Sequence, residues 1–144
     1  MGAEMTADDL IRAARRCLAT PFRHQGRVPG EALDCAGLLA EVARANGCPV
    51  CDQQGYSPEP SGDSLLRAVD AQPYLIRLPG GLADAAAGDV LAMRFGGAPH
   101  HLALHCGATI VHAWAAVGCV CAHELTAAWQ RRVVAAWRFR DLAS

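Results

Sequence analysis

The stretch that decides the fold is His101-Leu102-Ala103-Leu104-His105-Cys106, a Gly107-Ala108-Thr109 turn, then Ile110-Val111-His112-Ala113-Trp114. Two short runs of branched, aromatic and alternating residues flank a glycine turn, which predicts an antiparallel hairpin. A hairpin closed at Gly107 brings residues 101 and 112 together across its strands. Working outward, Ala87-Gly88-Asp89 predicts a turn before a strand Val90-Leu91-Ala92-Met93. Gly118 to Ala122 predicts another strand, Glu124 to Arg131 a short helix, and Val133 to Phe139 a last strand.

The first half of the chain reads differently. Thr6 can cap a helix with Asp8 and Asp9 in its first turn, and Leu10, Ile11, Ala14, Cys17 and Leu18 recur at helical spacing. Thr20-Pro21 should stop it, and Phe22 to Leu33 reads as an irregular loop. Asp34 caps a second helix with Leu38, Leu39, Val42 and Ala45 as its apolar stripe, ended by Asn46-Gly47. A connection rich in Pro, Gly and Ser runs from Cys48 to Gly62, and a short helix is expected from Asp63 to Val69. Helices first and antiparallel strands after imply an α+β fold in a single domain spanning residues 1–144.

Composition narrows the function. The chain has 144 residues, a formal net charge of −1 and 52% hydrophobic content, enough to bury a core. No basic stripe exists to neutralise phosphates, so nucleic acid is not an expected partner. No stretch approaches the roughly 18 apolar residues of a membrane span. Met1 to Asp9 lacks a basic patch followed by an apolar run, so no signal peptide is expected. Seven cysteines form an odd set, which argues against a secreted disulfide scaffold and for reduced thiols and cytoplasmic synthesis.

One cysteine stands apart. Cys35 follows the Asp34 cap and opens a helix, near the positive end of the macrodipole and unpaired backbone N–H groups. That setting favours a thiolate nucleophile and supplies donors for an oxyanion. Gly37 is expected to leave room for substrate beside the sulfur. A thiol nucleophile needs a base and a group that orients the base. His101, oriented by His112, fits, with His100 as the rival base. His105 and His123 read as satisfied strand residues, and Trp114, Trp129 and Trp137 as core. Cys48-Pro49-Val50-Cys51 and Cys119-Val120-Cys121 could together ligate zinc, but the halves are far apart in sequence and lack a knuckle glycine. The plainer reading is loop cysteines, with a zinc-binding module as the alternative.

The blocks Thr20-Pro21-Phe22-Arg23, Asp34-Cys35-Ala36-Gly37-Leu38, Ala87-Gly88-Asp89-Val90, His101-Leu102-Ala103-Leu104 and Val111-His112-Ala113 occur in the order seen in the NlpC-type cell-wall peptidases, the NlpC and p-sixty superfamily. The chain resembles that family from about Ala3 to Arg140, and most of all its compact versions from tailed phages and prophages. The resemblance implies a circularly permuted papain-like fold and a triad of Cys35, His101 and His112. It implies hydrolysis of peptidoglycan stem peptides, commonly from γ-D-glutamate to a diamino acid, with no cofactor. Action at the cell wall or periplasm, and phage tail proteins as partners, follow from the same resemblance. Phe22 stands where the family usually has Tyr, and Ala36 where it usually has Ser. Phe22, Asp34 and Ala36 are the expected substrate-side residues, together with Tyr56 from Gly55-Tyr56-Ser57-Pro58, a loop that could border the cleft. The two departures also motivate a non-enzymatic reading, a structural phage tail subunit that keeps the peptidase fold.

Overall fold

The computed structural model describes residues 4–52, 56–58 and 60–143. Met1 to Ala3, at the start of the expected N-terminal stretch, and Gly55, in the expected cleft-side loop, lie outside them.

Helix α1 spans Ala7–Arg15. Thr6 and Asp9 form a reciprocal capping box: the Thr6 hydroxyl accepts from the Asp9 N–H at 3.2 Å, and the Thr6 N–H donates to Asp9 at 2.9 Å. The helix ends five residues before Thr20, where the chain turns through Ala19 at φ 69°, so Cys17 is buried from a turn. The segment expected as irregular loop contains a two-rung hairpin, β1 (Arg27–Val28) with β2 (Ala32–Leu33). Its strands are too short to carry a periodic signal. Helix α2 spans Cys35–Ala45 and buries Leu38, Leu39, Val42 and Ala43. Helix α3 covers Ser64–Asp70.

The remaining strands are β3 (Leu75–Arg77), β4 (Val90–Met93), β5 (His101–His105), β6 (Thr109–Trp114), β7 (Cys119–Glu124) and β8 (Val133–Phe139). They form one antiparallel sheet in the order β3-β8-β4-β5-β6-β7. Strand β7 runs two residues past Ala122, pairing Glu124 with Thr109. This displaces the expected helix to Ala127–Gln130 (α4), capped by Thr126. The mixed helix and sheet are those of an α+β papain-like fold.

Apolar alternation gives the sheet two covered faces. Leu102, Leu104, Val111, Ala113 and Val120 pack with α1 and α2. Leu91, Met93, Ala103, Ile110 and Ala136 form a second cluster under Phe95, Trp129 and Leu82. Trp137 and Phe139 are almost wholly buried. Asp89, fully buried in its turn, receives both the Ala86 N–H and the Arg138 guanidinium at 2.8–3.0 Å, tying β4 to β8.

Candidate active site

The start of α2 is held by main chain and charge together. The Asp34 carboxylate accepts from the Gly37 N–H at 2.7 Å, the Gln25 N–H at 2.8 Å and the Arg27 guanidinium at 2.9 Å. The Tyr56 hydroxyl donates to the same carboxylate and accepts from Arg27. Arg27 also reaches Asp52, which Arg44 of α2 shares. Asp34 is only 4% exposed, and a buried carboxylate requires such partners. Arg27, Gln25, Asp52 and Arg44 were not among the residues singled out from sequence. They meet from β1, α2 and two connecting segments, and no spacing rule links them.

Gly37 has a different purpose from the one expected. A Cβ there would lie 2.0 Å from the Gly26 carbonyl oxygen, so its missing side chain admits the backbone of the β1 hairpin, not substrate.

Cys35, partly exposed, lines a cleft of about 250 Å³. Phe22, Asp34, Ala36, Tyr56 and His100 line the same cleft, so all four residues expected on the substrate side border it. The thiol is pushed up to about 12, first by burial and then by the Asp34 charge. The N–H groups of Leu102 and Ala36, and the Arg27 charge, act in the opposite direction. The expected thiolate is therefore overridden: desolvation exceeds the roughly 1 kcal/mol that a helix terminus offers.

The hairpin forms as expected. Rungs Leu104–Val111 and His105–Ile110, continued toward the open end, set His112 across from Ala103 and diagonal to His101. His101 Nε2 lies 2.5 Å from His112 Nδ1. Both rings are buried, at 5% and 0% exposure. Burial lowers His101 to about 3 and His112 to about 4; neighbouring histidines add to both shifts. At neutral pH both are uncharged imidazoles.

The base and the sulfur meet only indirectly. Leu102 turns toward α2, whereas His101 alternates to the other side with Ala103, where its ring packs edge-on to Phe95. The Leu102 N–H, part of the peptide unit that follows His101, faces the Cys35 sulfur. Among the described residues no hydrogen bond joins Cys35 to His101. His101 Nδ1 makes no hydrogen bond to the described residues either. His100 lies on the cleft side, its Nδ1 donating to the Ala98 carbonyl at 3.1 Å.

His123, expected from the sequence to be a satisfied strand residue, joins the histidine pair. It hydrogen-bonds His112 Nε2 at 2.8 Å and packs 4.6 Å from Trp129, centre to centre. The signal was available: His123 follows His112 by the same 11 residues that separate His112 from His101, along the same meander. Among the described residues no group of three or more His, Cys, Asp or Glu side chains could hold a metal ion.

Solved structures share the fold. An NlpC/P60 family protein from Bacillus cereus matches at a TM-score of 0.68 and 19% identity, over 95% of this chain and 41% of that one. The chain has the NlpC/P60 fold. The NlpC/P60 domain of the peptidoglycan hydrolase SagA matches at 0.63 and 19% identity, over 92% of this chain and 97% of that domain. A lipoprotein-like NLP/P60 protein from Staphylococcus aureus matches at 0.65 and 18% identity, over 100% of this chain and 45% of the other. The chain thus spans less than half of the Bacillus and Staphylococcus proteins and nearly all of the SagA domain. No family model matches the sequence, and no curated protein matches it significantly. No helix among the described residues is long and apolar enough to cross a membrane.

Proposed function

We propose that the protein is a cysteine peptidase that hydrolyses peptidoglycan stem peptides at the bond from γ-D-glutamate to a diamino acid. The observation that carries this reading is Cys35 opening a helix into a cleft while a hydrogen-bonded pair of neutral imidazoles begins one residue from the peptide unit facing its sulfur. The fold shared with a peptidoglycan hydrolase domain supports the substrate class. The whole stretch is read as one peptidase domain.

In this mechanism substrate fills the cleft and displaces water. Catalysis requires a rearrangement that brings Sγ and His101 Nδ1, which lie on opposite sides of β5 at rest, to hydrogen-bond distance. The thiol proton passes to His101 as sulfur attacks the carbonyl carbon. The oxyanion is held by the N–H groups at the start of α2. His101 returns the proton to the leaving amine, and water then releases the acyl group from sulfur. His112 holds the ring of His101 in place. Phe22 and Ala36 offer the substrate no hydroxyl, so polar contacts must come from main chain or from the Tyr56 side of the cleft. The test is mass spectrometry of purified muropeptides after incubation with the protein and with Cys35→Ala. Cleavage by the native chain, abolished in the variant, is expected; equal cleavage by both rejects the nucleophile.

A second reading, a structural phage tail subunit, is favoured by the high-lying thiol and the absent Cys35–His101 hydrogen bond. Under it the native chain leaves muropeptides intact, and a thiol probe at neutral pH shows no preference for Cys35 over the exposed Cys51.

A further inference from the structure

We propose that His123 is a positioning residue of the same site, the outer end of a three-imidazole chain that sets where the protons of His112 and His101 lie. The proposal builds on the cysteine-peptidase reading and concerns how its base is prepared.

A backbone carbonyl oxygen can only accept a hydrogen bond. His123 Nδ1 lies 2.9 Å from the Glu124 carbonyl oxygen, so Nδ1 carries the hydrogen. In a neutral ring Nε2 is then bare and must accept. Its partner at 2.8 Å, His112 Nε2, therefore carries a hydrogen. That leaves His112 Nδ1 bare, so it accepts from His101 Nε2 at 2.5 Å. His101 Nδ1 is left without a hydrogen, the form a general base needs. One backbone carbonyl thus fixes three tautomers in sequence, and the last is the one that matters chemically.

The same chain relieves the burial of charge. When His101 Nδ1 takes the thiol proton, the His101 Nε2 hydrogen can pass to His112 Nδ1, and the His112 Nε2 hydrogen to His123 Nε2. No proton is gained or lost. The positive charge moves from a ring that is 5% exposed to His123, which is partly exposed and faces the Trp129 and Trp114 rings. Burial opposes a cation on either inner ring, whereas an indole face favours one. Glu124 of β7 follows His123 in the chain, and the Arg132 guanidinium lies 5.2 Å from the Trp129 ring against which His123 packs. Cys121 stands across from His112.

The experiment reads the nitrogens directly. Histidine-labelled protein is studied by long-range proton–nitrogen correlation at neutral pH, native and as His123→Phe and His123→Gln. The native spectrum should show hydrogen on Nε2 of His101 and His112 and on Nδ1 of His123. In His123→Phe the His112 and His101 patterns should become mixed or reverse. In His123→Gln, whose amide oxygen can accept, they should return. Hydrogen on His101 Nδ1 in the native protein, or an unchanged pattern in His123→Phe, overturns the proposal. These spectra need no turnover, so they decide the relay even if muropeptides are not the substrate. Where muropeptides are cleaved, His123→Phe should lower kcat at least tenfold with KM nearly constant, and His123→Gln should recover most of the loss. Equal loss in both variants also overturns it.

Discussion

Two adjacent imidazoles compete for one role. His100 lines the cleft with Cys35 but leans only on the Ala98 carbonyl. His101 lies behind the strand but is oriented by His112. Orientation is what a base requires beyond proximity. His101→Gln should therefore reduce kcat on muropeptides by about 10²- to 10⁴-fold, whereas His100→Gln should change it by only a few-fold; the opposite ranking reassigns the base. The helix start at Cys35 and the His101–His112 contact were legible from the sequence because each rests on a local rule: a capped helix start and a hairpin register. The carboxylate cluster around Asp34 was not. Arg27 comes from the two-residue strand β1, and Asp52 and Tyr56 from the connection after α2, where no periodicity marks a meeting point; their pairing is a consequence of tertiary closure.

Helix α2 is positioned by its first turn as much as by its apolar stripe. The Gly26 carbonyl occupies the space where a Gly37 side chain would begin, and backbone cannot step aside as a flexible side chain can. Gly37→Ala should cost about 3 kcal/mol of stability, measured by denaturant unfolding. The surviving folded protein should lose activity too, because any relief moves Cys35. A variant of unchanged stability would mean that the hairpin gives way freely. The strands β4, β5, β6 and β8 and both long helices were readable in sequence, since each carries several apolar positions at one period. The short β1, β2 and β3 were not, because two or three residues show no period. The end of β7 was misjudged because Thr126, not Glu124, supplies the helix cap.

Across the molecule, the buried neutral histidines couple stability to acidity. His101 and His112 sit near 3 and 4 in the folded state against 6.5 when unfolded, and burial also lowers His105. Below pH 6.5 the unfolded chain binds protons that the folded chain refuses, so folding weakens as pH falls from about 6.5 toward 4. At 1.36 kcal/mol per unit, each of the two contributes at most about 2 kcal/mol between pH 6.5 and 5. Denaturant midpoints across that range should fall on acidification, and less steeply in His101→Gln. A flat profile would mean that these rings take up protons without unfolding. The α+β class was evident from helices in the first half and strands in the second, whereas the two-sided packing of the sheet emerged only from the alternation of β5 and β6. The contact between Gly26 and Gly37 has an evolutionary corollary. Side chains on the cleft wall can change without disturbing a nucleophile whose helix start is fixed by this backbone contact and by the Asp34 cluster behind it. Distant lineages with this architecture should therefore rewrite the walls of the cleft freely while both glycines stay fixed.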